Sequence, residues 1–180
     1  MSAPRRSLGS VATVIALVGA FAAGCAATNH ATFPPLGSTP GPVGDATGGA
    51  AQQVIGALAA AGLQAEVTIR PFRPPEGPLL AAAPRSVLQV TLADDPDHGF
   101  IVIYALPDNP TALAAATDTA AYVATGPGKI QFVAGSHFVL RVVGANVIFF
   151  TWSPDNAPDS HTHLIEDALG QVGTGVAVPG

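Results

Sequence analysis

The sequence predicts an α+β fold: an antiparallel sheet of about six strands with helices on one face, in the order αβββαβββα. Three observations predict it. Segments of strand periodicity follow one another through links too short for a crossover, which favours antiparallel pairing. Two of them are joined by Gly144-Ala145-Asn146, a tight hairpin connection. Stretches of helical periodicity, each closed by a glycine, separate the strands.

The first helix is read from Val54, Ile55, Leu58 and Ala61, which fall on one stripe, with Asp45 or Thr47 as N-cap and Gly62 as the stop. In "QAEVTIR", Ala65, Val67 and Ile69 alternate with polar residues, the mark of a half-buried strand. "RPFRPPEGP" breaks the pattern as a Pro-rich loop, and "SVLQVTLA" resumes it with Leu88, Val90 and Leu92 on one face. "DDPDHG" is turn chemistry. Phe100–Leu106 is continuously apolar, so it is placed at the centre of the sheet. A helix follows in "PDNPTALAAATDTAAYVATG", capped by Asp108 or Asn109, with Pro110 in the first turn where its missing N–H costs nothing. It stops at Gly126-Pro127-Gly128. "KIQFV", "HFVLRVV" and "NVIFFTW" complete the strands. A last helix at about Pro158–Leu169 turns Leu164, Ile165, Ala168 and Leu169 inward.

Ahead of Asp45 the chain reads differently. Arg5 and Arg6 precede Leu8–Ala23, a run without a charged side chain that ends in small residues, which is the layout of an export signal. The closing Ala22-Ala23-Gly24-Cys25 resembles the lipobox of bacterial lipoproteins, although Ala22 stands where that family usually has Leu. The resemblance implies that Cys25, the only cysteine, takes a diacylglycerol and becomes the mature N-terminus after residues 1–24 are removed. Three other readings compete: cleavage at Ala20-Phe21-Ala22 to release a soluble protein, an uncleaved anchor over Leu8–Ala27, and a structural cysteine in a buried helix. Residues 25–44, with Pro34, Pro35, Pro40 and Pro42 among glycines and no charge, cannot bury enough surface to order themselves. They read as a tether with a reach of roughly 25 Å. Residues 45–180 then form a single domain.

Composition narrows the partners. The chain has 180 residues, of which 12 are acidic and 7 basic, and losing Arg5 and Arg6 leaves a mature charge of about −7. Such a surface repels nucleic acid and anionic headgroups, so attachment to a membrane falls to acyl chains on Cys25. Hydrophobic residues make up 48% and the mean hydropathy is +0.41, yet no uncharged apolar segment beyond Ala27 approaches bilayer-spanning length. With one cysteine there is no intramolecular disulfide, redox pair or thiolate cluster.

Side chains capable of chemistry form few constellations. Asp94, Asp95, Asp97 and His98 are hard ligands on one loop, without the spaced ladder of a calcium site, and a charged turn accounts for them. "SPDNAPDSHTH" offers Asp155, Asp159, His161 and His163 as weak metal candidates, but two histidines at i, i+2 on a helix diverge, and helix capping by Asp159 or Ser160 is the simpler role. Ser136 and His137 point to opposite faces of a strand and make no nucleophile–base pair. "GPGKI" lacks the first glycine of a phosphate loop and carries Ile130 where a hydroxyl must bind magnesium, so no cofactor motif is present. Phe138, Phe149 and Phe150 read as core. Trp152, at the end of its strand beside a polar loop, is the candidate to line a ligand groove.

The body also resembles a family of bacterial envelope lipoproteins of uncharacterised function, over about residues 50–172. The likeness rests on "VIGALAAAGLQAEV", "RPF", "FIVIYAL" with its Ala-rich helix, "HFVLRVVGANVIFF" with His137-Phe138, and a closing helix ending in "ALG". "RVVGAN" replaces the Arg-Gly turn associated with that family. No catalytic role comes with the resemblance. The expectation is a lipid-anchored protein on the extracytoplasmic face of the membrane whose domain binds or scaffolds without catalysis. The alternatives are a metal-binding or hydrolytic envelope protein using the His and Asp loops, and a secreted or signal-anchored protein.

Overall fold

A computed structural model describes residues 45–180. Residues 1–44, which include Cys25 and the segments read above as export signal and tether, lie outside the described residues. Helix α1 (Asp45–Ala60) leads into strand β1 (Ala65–Thr68), a short helix α2 (Pro78–Ala81), and strands β2 (Arg85–Val90) and β3 (Phe100–Ala105). Helix α3 (Asn109–Ala124) and one turn α4 (Gly126–Lys129) precede the hairpin of β4 (His137–Val143) and β5 (Asn146–Trp152). Helix α5 (Thr162–Gly170) and a two-residue strand β6 (Thr174–Gly175) close the chain. The six strands form one sheet, β1-β2-β3-β5-β4-β6, in which every pairing is antiparallel. The α+β class and the six-stranded antiparallel sheet are therefore as the sequence predicts.

Local signals place the ends of the helices. Gly62 takes φ +80° after α1, and Leu63 N–H returns to Leu58 C=O at 2.9 Å, a left-handed stop that no β-carbon obstructs. The Asp108 carboxylate accepts from Thr111 N–H at 2.8 Å, capping α3 with Pro110 in its first turn and drawing the carboxyl pKa down. Helix α5 begins at Thr162, later than Pro158, because Pro154–Asn156 form a separate 3-10 turn.

Helices cover both faces of the sheet, not one. On one side α1 and α5 bring Val54, Leu58, Ile165 and Leu169 onto Leu88, Val90, Ile101, Ile103, Ile148 and Phe150. On the other, Ala112, Ala115, Ala116 and Ala120 of α3 pack on Val102, Tyr104, Leu140, Val142, Val147 and Phe149. The reason lies in β3, whose residues Phe100–Tyr104 are all buried: a strand apolar on both sides must be covered on both. The row of alanines lets α3 approach the sheet closely.

Two further expectations are corrected. "KIQFV" is no strand; Lys129 ends α4, and turns closed by Phe132 N–H to Lys129 C=O and Ser136 N–H to Val133 C=O carry the chain to β4. The far edge of β4 is taken instead by β6, through Arg141↔Gly175 and Val142↔Thr174, and Arg141 also donates to Val172 C=O at 2.6 Å and Gly173 C=O at 2.8 Å. In β1, Val67 is 44% exposed, and Ile69, which falls just beyond the strand, is 91% exposed. This strand lies at the edge of the sheet, where Ala65 packs on the core beside α1 while Val67 and Ile69 lie further along, toward solvent.

Candidate ligand-binding cleft

Antiparallel pairing brings the start of β3, the end of β5 and the start of β4 to one end of the sheet, where His137 stands opposite Trp152. A cleft of ≈ 220 Å³ opens there. Phe72, Phe132, Phe150 and Trp152 supply its aromatic walls, and His98, Gln131, Ser153, Asn156 and Thr162 its polar groups. An apolar hollow with a few convergent polar groups is the usual form of a small-molecule site.

Each wall is held from behind. Trp152 Nε1–H donates to Glu166 Oε2 at 2.8 Å, and the His137 ring lies 4.6 Å from the indole with its Nδ1 at 3.1 Å from the same oxygen. His98 Nδ1 is 2.5 Å from Asp95 Oδ1, which orients the imidazole from a buried carboxylate. Phe72 stacks on Phe100 at 4.7 Å, and the Arg70 guanidinium sits 5.4 Å above the Phe100 ring while pairing with Asp97 at 3.1 Å. The Pro-rich loop carrying Phe72 is pinned by Glu76, which accepts from the Tyr104 hydroxyl and from Arg73 Nε at 2.6 Å. Burial raises the Glu76 pKa above 4.5, and the neighbouring Arg73 charge only partly offsets this.

One group in the cleft is not spoken for. Ser153 is 6% exposed, and its Oγ has no hydrogen-bond partner among the described residues. A buried hydroxyl without a partner costs free energy.

The sequence candidates divide. Trp152 lines the cleft, and Phe149 and Phe150 are core. Ser136 Oγ donates to Val133 C=O at 2.7 Å while His137 engages Glu166, so the two make no pair. Asp94, Asp95, Asp97 and His98 do separate work: Asp94 N–H donates to Asp159, Asp95 holds His98, and Asp97 pairs with Arg70. Asp159 is buried, accepts from Asp94 N–H at 3.0 Å and from His161 N–H at 2.8 Å, and these bonds lower its pKa to about 2. It thus ties the loop after β2 to the entry of α5, and the His161 ring joins the same carboxylate at 2.8 Å. Asp155 and His163 are exposed and stand apart from it. Among the described residues no three His, Cys, Asp or Glu side chains come together around a point.

Sequence reasoning missed Glu166, Ser153 and the Glu76–Tyr104 pair. Only the last left a trace: a tyrosine in an otherwise aliphatic central strand needs a partner for its hydroxyl. No family model matches this chain, and no curated protein or solved structure matches it significantly. Among the described residues, no helix is long and apolar enough to cross a membrane.

Proposed function

We propose that residues 45–180 form a non-catalytic binding domain that takes a small ligand in the cleft at the end of the sheet, and that acyl chains on Cys25 hold it at the extracytoplasmic face of a bacterial membrane. The observation that carries the binding reading is the hollow itself, ≈ 220 Å³ walled by Phe72, Phe132, Phe150 and Trp152 with His98, Gln131 and Ser153 among its lining. The cleft offers His98 as its one ionisable lining residue, and that imidazole is directed to Asp95 with no hydroxyl nucleophile hydrogen-bonded to it. Aromatic walls with dispersed hydroxyl and amide groups support reading this lining as one that recognises.

The anchoring half rests on the sequence: Arg5 and Arg6, the apolar run, and Ala22-Ala23-Gly24-Cys25 ahead of an uncharged Pro/Gly-rich tether. Metabolic labelling with a radiolabelled fatty acid in a bacterial host tests it. Label should enter the protein, and Cys25→Ser should abolish it and leave a slower-migrating precursor; label that survives the substitution overturns the anchor. For the domain, native mass spectrometry of protein purified gently from membranes should show a bound small molecule that is lost when Trp152 is replaced by Ala. A ligand mass that persists in that variant would move the site elsewhere.

A further inference from the structure

A second hollow of ≈ 530 Å³ lies beside the cleft, and the two share Phe132, Val133 and Ser136 as a common wall. Their linings differ in kind. The first presents hydroxyl, amide and imidazole groups between aromatic rings. The second is lined by Val123, Ala124, Ile130, Phe138 and Val178, with Lys129 as its only charged side chain. Phe132 meets Phe138 edge to face at 4.8 Å, so the Phe132 part of the shared wall is backed by a second aromatic ring. Ile130 and Val133 leave 83% and 46% of their surface exposed at this loop.

Resting on the reading of the cleft as a binding site, we infer that the ligand is a single-chain amphiphile with an uncharged, hydroxyl-bearing head. The head enters the smaller hollow, and the alkyl chain passes Val133 into the larger one. Size supports the division. The smaller hollow, ≈ 220 Å³, falls below the ~300–1,000 Å³ typical of a whole small-molecule site, whereas ≈ 530 Å³ lies within that range. At about 30 Å³ for each water-sized group, the smaller hollow suits a head about as large as glycerol.

Charge supports the choice of head. No Arg or Lys lines the smaller hollow, and two carboxylates, Asp95 and Glu166, stand one hydrogen bond behind its His98 and Trp152 walls. An anionic head there would meet the field of those two carboxylates with no Arg or Lys on the lining to offset it. A cationic head finds no carboxylate on the lining, since both are turned to His98 and Trp152. Ser153, whose buried Oγ has no partner among the described residues, lines this hollow beside Gln131 and Asn156, side chains that suit an uncharged hydroxyl or ester head.

Trp152, the only tryptophan, reports on the head site directly. The test titrates the protein with 1-monoacylglycerols of eight, ten and twelve carbons below their aggregation limits, with glycerol and laurate as comparisons, following Trp152 emission. Each added pair of methylenes should tighten binding by roughly four- to fifteenfold, and monolaurin should bind more tightly than laurate. Ser153→Ala should weaken every chain length by about the same three- to tenfold and leave the unfolding midpoint unchanged or raised, since it removes a buried orphan hydroxyl. Val133→Asp, at an exposed position, should remove the chain-length dependence.

Saturable binding that is indifferent to chain length would overturn the amphiphile inference and leave the binding cleft standing. Laurate binding more tightly than monolaurin, and losing that advantage in Lys129→Gln, would overturn the assignment of the head. No response of Trp152 to any probe, together with no ligand in native mass spectra, would overturn both readings.

Discussion

Trp152 and Glu166 meet at 2.8 Å, indole N–H to carboxylate, joining the last residue of β5 to the middle of α5. The same carboxylate oxygen meets His137 Nδ1 at 3.1 Å, so Glu166 holds both the indole and the imidazole that packs on it. Replacing Glu166 by Ala should cost about 0.5–1.5 kcal/mol in urea unfolding and red-shift the Trp152 emission as the freed indole becomes wetter. Glu166→Gln keeps an acceptor and should retain the parent emission. An Ala variant with unaltered emission would show that the bond does not orient the ring.

Asp159 should govern part of the acid limb of stability. Its folded pKa of about 2 lies below the ordinary 3.8, because Asp94 N–H and His161 N–H donate to the ionised form. The stabilisation is complete above pH ~4 and is lost as pH falls through about 2. Asp159→Ala should flatten the stability profile across that window, measured by urea midpoints at successive pH values. A profile as steep as the parent's would contradict the assignment.

Glu76 should act with the opposite sign. Burial raises its pKa above 4.5, so the folded state holds this proton more tightly than the unfolded chain does. Its contribution to stability is greatest below the unfolded value and declines as pH rises through the raised folded one. Glu76→Gln, which keeps an acceptor for the Tyr104 hydroxyl, should remove that decline in the same urea series. A parent-like slope in the variant would place the titration on another group.

The two-sided burial of β3 separates core from turn. Val102 and Ile103 are fully buried on opposite faces of the sheet, under α3 and under α1 with α5. Val102→Asp or Ile103→Asp should each cost several kcal/mol, comparable with the whole margin of a domain of this size. Asp97→Ala removes only an exposed ion pair with Arg70 and should cost within about 1 kcal/mol in thermal or urea unfolding. A reversed order would contradict this burial.

The sequence by itself determined what short-range chemistry decides. Asp108 caps the turn three residues ahead of it, Gly62 stops α1 with a conformation that few other residues adopt, and Phe100–Tyr104 announce a buried strand wherever that strand lies. It also carries the only reading of the export signal and Cys25. Tertiary structure decided what lies on either side of each element. Periodicity records that a face is buried but not against what, so the apolar alternation of "KIQFV" fits a strand equally well, and Phe132 instead packs on Phe138 as a wall between two hollows. The strand order, the second helical layer and the cleft all depend on pairings across many residues of chain. Ser153 and Glu166 gain their meaning there, because an orphan hydroxyl and a hydrogen bond to Trp152 are properties of neighbours that no local window contains.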